Sequence, residues 1–317
     1  MSRFKSALAL SGGSARALSH LGVIQEIERR NMKFDLIVGT SMGAVIGGLY
    51  AFFGDSAKVI ERLKNLFESE LFLKTAFNAV DEDFVFASPD GFFNRFMWLF
   101  KQGVFYTRTM LHTEMVADEL YDGLLSILIP DVLIEDLRVP FASVAMDLQT
   151  GEEIVLTRRS LRRAIAASSS IPGMFPAIRI NGRMLVDGGW ADNVPVAPAI
   201  ALGAHFVLAV DATHDIEGIA IHPKSALTVL LRCHEITGIL LTRHRKSAAD
   251  VLIVPEIGDI FWADFKSLDH CLAAGRKAFE EKASAISKQV LLRRFRTLRG
   301  AIHPGRTGKW KHPLVIA

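Results

Sequence analysis

Short apolar segments alternate with segments of helical spacing along most of this chain. Leu18, Leu21, Ile24 and Ile27 recur at intervals of three and four, which predicts a helix over residues 18–30. Uninterrupted apolar segments predict strands over residues 6–10, 36–38, 141–146, 154–156, 184–186, 206–210 and 251–254. Further helices are predicted over residues 43–53, 110–125, 160–167, 224–245 and 266–296. The alternation predicts an α/β fold, a three-layer α/β/α sandwich with a largely parallel central sheet.

Residues 37–54 carry no charged side chain, and this uncharged run is about as long as a membrane span. Glycine, serine and threonine residues interrupt the run, so we interpret it as a buried strand, a turn and a buried helix. The first apolar segment of the chain is too short for the core of a signal peptide. Cys233 and Cys271 are too few for a disulfide framework and their spacing suits no zinc site. We therefore expect a cytoplasmic protein, with peripheral contact to a membrane left open.

Composition and charge indicate a folded protein that does not bind nucleic acid. The chain has 317 residues, of which 50% are hydrophobic and 22% charged, so a large folded core is expected. The formal net charge is only +3, which argues against a nucleic-acid-binding protein. Residues 288–317 nevertheless hold eight lysines and arginines and no acidic residue. We predict a main domain over residues 1–287 and a basic tail that is either solvated or bound to anionic lipid.

The strongest chemical motif is Gly-Thr-Ser-Met-Gly at residues 39–43. It follows a predicted strand and precedes a predicted helix, which is the context of a nucleophile elbow. In such a tight turn Gly39 and Gly43 avoid the clash of a Cβ atom, and the turn presents the hydroxyl of Ser41 above the sheet. Ser41 is therefore the candidate nucleophile, although the same motif also occurs in turns without chemistry.

A second strand-to-helix loop reads Ser-Gly-Gly-Ser-Ala-Arg at residues 11–16. Successive backbone amides around Gly12, Gly13 and Ser14 can point into one concavity, which suits an oxyanion or a phosphate. The spacing fits neither a dinucleotide-binding fingerprint nor a nucleotide phosphate loop. Arg16 either holds an anionic head group or packs beside the loop.

A third loop, Asp187-Gly188-Gly189, follows the predicted strand 184–186. Asp-Gly is also a favoured hairpin turn, so the motif by itself is weak. A buried carboxylate within hydrogen-bond reach of a serine can nevertheless serve as its base. A histidine as third member is the alternative, and the histidines after Asp187 are His205, His214, His222, His234, His244, His270, His303 and His312. We favour an Asp–Ser pair, because none of these histidines lies in a distinctive loop.

Four blocks together resemble the patatin-like phospholipases, which are acyl hydrolases with a Ser–Asp dyad. The blocks are residues 8–24, 39–44, 167–176 and 186–196, within a resemblance that spans residues 4–211 and, more weakly, 250–255. It implies that Ser41 is the nucleophile, that Asp187 is the base and that the loop amides hold the oxyanion. The implied supporting residues are Arg16, Gly39, Gly43, Gly188 and Gly189. Ser11, Ser14 and Ala17 stand where family members often carry glycine, and such side chains can reshape the oxyanion loop.

The resemblance implies hydrolysis of fatty-acyl esters of phospholipids or related lipids, without a metal or an organic cofactor. Two alternatives stay open. One is an esterase or thioesterase of small soluble acyl substrates, and the other is a catalytically weak lipid-binding or regulatory protein on the same fold. The expected partners are the lipid or acyl-ester substrate and an anionic membrane surface, and nucleic acid is not expected.

Residues 84–106 contain nine aromatic side chains, an unusual density for this chain. They are predicted either to form a helix that packs on the sheet or to cover the acyl-chain site and contact lipid.

Overall fold

A computed structural model of the chain describes residues 6–73, 116–213, 226–258, 260, 263–298 and 314–316. The aromatic segment 84–106 lies outside the described residues, as do His214, His222, His303 and His312 and most of the basic tail beyond residue 298.

Among the described residues, nine strands form one sheet. The strands are β1 (Ala7–Leu10), β2 (Leu36–Thr40), β3 (Phe141–Asp147), β4 (Glu153–Leu156), β5 (Ile178–Ile180), β6 (Arg183–Asp187), β7 (Val207–Val210), β8 (Val251–Ile253) and β9 (Leu314–Ile316). Strands β3, β2, β1, β7 and β8 lie side by side in that order and run parallel. Strands β4 and β6 pair antiparallel with β3, β5 pairs antiparallel with β6, and β9 pairs parallel with β4.

Helices cover both faces of this sheet. They are α1 (Ser19–Arg29), α2 (Met42–Phe53), α3 (Ser56–Phe67), α4 (Glu70–Leu73), α5 (Asp118–Leu128), α6 (Leu161–Ser169), α7 (Val196–Ala201), α8 (Ala226–Lys246) and α9 (Leu268–Leu298). On β1 the larger side chains Leu8 and Leu10 join the core with α1, α2 and α9, while Ala7 and Ala9 face α7. The predicted three-layer sandwich with a largely parallel sheet is therefore confirmed.

The uncharged run 37–54 folds as strand β2, a one-residue turn and helix α2. Most of its side chains are buried, because β2 lies in the middle of the sheet and α2 packs on β2 and β3. Burial on both faces explains why this segment needs no charge. Within the described ranges, no helix has the length and hydropathy needed to cross a bilayer.

Five elements go beyond the sequence prediction, namely α3, α4, α7, β5 and β9. Helix α3 begins at Ser56, whose preceding residue Asp55 caps it by accepting a hydrogen bond from the amide of Ala57 at 2.9 Å. Strand β5 is short and only partly buried, so it has little apolar pattern. Strand β9 lies in the predicted basic tail and pairs with β4, a contact that no local pattern can reveal. The predicted boundary between residues 287 and 288 falls inside helix α9.

The two cysteines have different environments. Cys233 is exposed on α8, whereas Cys271 is buried on α9. Burial raises the pKa of the Cys271 thiol to about 11.

Candidate active site

Ser41 occupies the turn between β2 and α2, as the elbow motif predicts. Its backbone has φ 54° and ψ −127°, a left-handed conformation that costs a non-glycine residue about 1 to 3 kcal/mol. A Cβ atom at Gly39 would lie 2.6 Å from the Cα of Ala44, so the chain can double back only with glycine there. The strained turn therefore depends on its flanking residues.

The register of the sheet brings Asp187 to Ser41. Strand β2 pairs with β3 as far as Val144, which lies opposite Thr40. Beyond that point β6 pairs with β3, where Ala145 lies opposite Asp187. Residues 143–145 of β3 also pair with β4, which therefore occupies one edge of β3. Strands β2 and β6 consequently follow one another along the opposite edge of β3. The last residue of β6 thus meets the turn that follows β2.

The Ser41 side chain lies close enough to the Asp187 carboxylate to favour its ionised form. Asp187 is 4% exposed, and its Oδ1 accepts a hydrogen bond from the amide of Gly189 at 2.7 Å. Burial raises the pKa of Asp187 to about 6, although the Ser41 side chain and the Gly189 amide both oppose the shift. Above that pH the carboxylate is ionised, and it is a stronger base than a solvated aspartate.

Two serines of the 167–176 block support this pair. The Ser41 amide donates to Ser168 Oγ at 3.0 Å, and the Ser168 hydroxyl donates to the Val144 carbonyl at 2.6 Å. The Asp187 amide donates to the Ser170 carbonyl at 2.8 Å. The sequence singled out the block without assigning these roles, since the signal was a run of serines before a Pro-Gly turn.

The glycine-rich loop lies directly against the elbow. A Cβ atom at Gly12 would lie 2.5 Å from Asn193 Oδ1 and 3.0 Å from Ser41 Cβ. The Gly12 amide donates its hydrogen bond to the Asn193 carbonyl at 3.2 Å, so it is not available to an oxyanion. Among the described residues, the amides of Gly13 and Ser14 have no hydrogen-bond acceptor, and these two amides are the remaining candidates for holding an oxyanion.

The departures from glycine in this loop have separate consequences. Ser14 adopts φ 49°, a conformation in which glycine would be less strained. Ser11 is buried, where its Oγ accepts from the Ala212 amide at 2.9 Å and its hydroxyl donates to the Gly12 carbonyl at 2.7 Å. Ala17 is fully buried in the main core and lies away from the loop surface.

Arg16 braces the loop from outside. Its Nε donates to the Ala212 carbonyl at 3.1 Å and its Nη1 to the Gly258 carbonyl at 2.6 Å. Ala212 follows β7 and Gly258 follows β8, so one side chain connects the glycine-rich loop to two strand ends. Of the two interpretations of Arg16, these contacts favour packing beside the loop.

His20 lies below the loop and was not a candidate from the sequence. It is fully buried, and its Nε2 hydrogen-bonds the Ser11 carbonyl at 2.8 Å. Burial lowers its pKa to about 4, so the imidazole is neutral at pH 7.

Of the candidate histidines after Asp187, His270 contacts the Ile257 carbonyl at 2.9 Å.

A buried ionic group lies behind the Asp187 loop. Arg245 of α8 forms ion pairs with Glu153 at 2.7 Å and with Asp192 at 3.3 Å. Burial and the neighbouring Glu153 raise the pKa of Asp192. The Asp192 carbonyl also accepts from Thr40 Oγ1 at 3.0 Å, which connects this group to the residue before Ser41.

Within the residues that the structure describes, no three histidine, cysteine, aspartate or glutamate side chains cluster as metal ligands would. The sequence had assigned no metal site.

Comparison with known proteins places these features in a family. The sequence profile described as "Patatin-like phospholipase" matches residues 8–200, more than half of the chain. An uncharacterized NTE family protein of Mycobacterium tuberculosis is 32% identical over 204 residues, which cover 64% of this chain and 48% of that protein. Lysophospholipase NTE1 of Saccharomyces cerevisiae is 30% identical over 204 residues, covering 64% of this chain and 10% of that protein.

The chain thus spans about half the length of the mycobacterial relative that it matches. Among solved structures, the crystal structure of VipD from Legionella pneumophila is similar, with a TM-score of 0.47 and 15% identity over 90% of this chain and 67% of that one.

Proposed function

Since this chain belongs to the patatin-like phospholipase family, we propose that it is a serine hydrolase of fatty-acyl esters in phospholipids or related lipids. The observation that carries the proposal is the placement of Ser41, in its strained elbow, beside the buried carboxylate of Asp187. A solvated serine hydroxyl is a weak nucleophile and needs such a base.

In the first half-reaction, Ser41 Oγ attacks the acyl carbonyl carbon while Asp187 accepts the hydroxyl proton. The carbonyl electron pair moves onto oxygen, where the amides of Gly13 and Ser14 stabilise the negative charge. When the tetrahedral intermediate collapses, the alcohol leaves with the proton that Asp187 held.

In the second half-reaction, Asp187 deprotonates a water molecule that attacks the acyl-Ser41 ester. The second tetrahedral intermediate collapses with loss of the Ser41 oxygen, which recovers its proton from Asp187, and a fatty acid is released. Nucleophile, base and oxyanion donors are all supplied by the chain, so the mechanism calls for no metal or organic cofactor.

The test is labelling with a fluorophosphonate, together with hydrolysis of a short soluble ester and of a lysophospholipid. Ser41→Ala should abolish labelling, and Ser41→Ala and Asp187→Asn should each lower hydrolysis by on the order of 10³-fold or more. The matched control is Ser126→Ala, on the exposed face of α5. This variant should react with the fluorophosphonate and hydrolyse both substrates as the native protein does.

The outcomes separate the alternatives. Hydrolysis that persists in folded Ser41→Ala would refute the nucleophile. Activity on the short ester without activity on the lysophospholipid would favour a small-molecule esterase. A folded native protein that neither labels nor hydrolyses either ester would favour a lipid-binding protein.

A further inference from the structure

Helix α8 exposes leucines to solvent while one pair of its ionic side chains is partly buried. Its ionic side chains Arg232 and Glu235 form an ion pair at 2.7 Å and are only 13% and 31% exposed. Leu230 and Leu240 are 66% and 52% exposed. A surface helix of a water-soluble protein normally turns its apolar face to the core and its charged face to solvent.

The exposed apolar residues of α8 form one stripe, which consists of Val229, Leu230, Leu240 and Leu241. At about 100° per residue, these four positions fall within about 120° of the helix circumference. Exposed Cys233 and Thr237 lie between the two pairs on the same side of the helix. Exposed apolar side chains grouped on one side of a helix are typical of a surface that contacts another apolar phase.

The last turn of α8 is fixed beside the candidate active site. Lys246 pairs with Asp211 at 2.6 Å, directly after β7, and Arg245 pairs with Glu153 at 2.7 Å. Glu153 lies opposite Met146, near the carboxyl end of β3. The helix that carries the α8 stripe is therefore attached to the edge of the sheet at which Ser41 lies.

Exposed apolar side chains outside α8 lie at the same edge of the sheet as Ser41. Among the described residues, the exposed large apolar side chains are Leu133, Leu148, Trp190, Val229, Leu230, Leu240, Leu241 and Val254. Leu148 follows β3, Val254 follows β8, and Trp190 lies three residues after Asp187. Leu133 is the exception. It forms an isolated β-bridge with Ser160, which follows β4. Because β4 runs antiparallel to β3, its end lies at the edge of the sheet opposite to Ser41.

Basic side chains also lie beside the α8 stripe. Of the four basic residues of the helix, Arg232, Arg245 and Lys246 form the ion pairs described above, and Arg243 is the fourth. Arg243 and His244 are exposed at the end of the α8 stripe. Leucines bordered by cationic side chains are the pattern of helices that lie in the interface of anionic bilayers.

We propose that the α8 stripe is the surface through which this protein docks on a phospholipid bilayer, with the Ser41 edge of the sheet facing the lipid. The choice of lipid over another occupant rests on the proposed function, because a lipid hydrolase must reach acyl chains held in a bilayer.

The test is co-sedimentation of the full chain with vesicles of phosphatidylcholine containing about a quarter phosphatidylglycerol. The double variant Leu230→Glu/Leu240→Glu should lower the vesicle partition coefficient by about tenfold or more. Leu230→Gln/Leu240→Gln removes apolar area without adding charge, and it should also weaken binding. The matched control, Leu133→Glu, changes an exposed leucine at the opposite edge and should bind as the native protein does.

Circular dichroism and hydrolysis of the short soluble ester establish that each variant is folded. If both double variants bind vesicles as well as the native protein, the docking proposal is wrong, whatever the esterase result. If the native protein is a dimer that the double variants dissociate, and it does not bind vesicles, the stripe is a contact between copies instead. Absence of ester hydrolysis with variant-sensitive vesicle binding would refute the proposed function and leave the docking surface intact.

Discussion

The Asp187 carboxylate combines two requirements of a proton acceptor in one position. It lies beside the Ser41 side chain, and burial raises its pKa to about 6. A base of that pKa is ionised at pH 7 and still holds a proton more strongly than a solvated aspartate.

We therefore expect kcat/KM for a short soluble ester to rise with pH along one limb centred near 6. Only the ionised carboxylate can accept the Ser41 proton, so the limb reports the Asp187 titration in the free enzyme. The measurement is a pH–rate profile from acid to neutral pH, with Ser126→Ala as control. A profile without a limb between pH 5 and 7 would contradict the assigned base.

Ser168 holds the elbow through the Ser41 amide, so its removal should affect turnover more than substrate binding. Ser168→Ala should lower kcat by about 10- to 100-fold with little change in KM, because small displacements of a nucleophile are costly. Ser169→Ala is the matched control, since the Ser169 hydroxyl donates to the Ile165 carbonyl at 2.7 Å. Equal losses in the two variants would show that the effect is general damage to α6.

At the scale of elements, β9 changes how the basic tail should be regarded. Leu314–Ile316 pairs with Ile154–Leu156, so the segment covers one edge of β4. An uncovered strand edge offers unpaired amides and carbonyls to other chains. Truncation after residue 287 would therefore alter the sheet as well as remove basic residues.

Deletion of residues 314–317 should lower the free energy of unfolding by about 1 kcal/mol for each ladder hydrogen bond lost. Urea-induced unfolding measures this change, and light scattering should detect increased association. Deletion of Ala317 alone is the control and should have little effect. An unchanged urea midpoint for the longer deletion would show that β9 contributes nothing to stability.

The sequence predicted those parts of the site that depend on local pattern. The Gly-Thr-Ser-Met-Gly motif located the elbow, because a tight turn restricts its own residues. The sharing of one β3 edge by β2 and β6, which brings Asp187 to Ser41, is a property of strand register between distant segments. The contacts of Ser168 with the elbow and of the Asn193 carbonyl with the Gly12 amide also join segments that are distant in the sequence. The exposure of the α8 leucines was equally hidden, since an apolar run does not reveal which face is buried.

At the scale of the whole molecule, the site reduces the stability of the fold. In the unfolded chain Asp187 ionises near pH 3.8, whereas in the native protein it keeps its proton up to about pH 6. The native state therefore loses stability from this group as the pH rises between these values, and the loss is complete above them.

Asp187→Asn should remove this loss. The variant should unfold with the same free energy as the native protein near pH 3.5 and should be more stable above pH 6, by about 3 kcal/mol. Urea unfolding of both proteins across this range gives the difference, and Asp131→Asn is the control for loss of an exposed carboxylate. A difference that does not depend on pH would contradict the raised pKa of Asp187.

The unequal environments of the two cysteines offer a practical route to watching α8. Maleimide reacts with thiolates, so the exposed Cys233 should be modified while the buried Cys271, with its pKa near 11, stays unreacted. Position 233 falls on the same side of the helix as Leu230 and Leu240. The native chain therefore supplies a single attachment point for an environment-sensitive fluorophore, whose emission should shift to the blue when that side of α8 enters lipid.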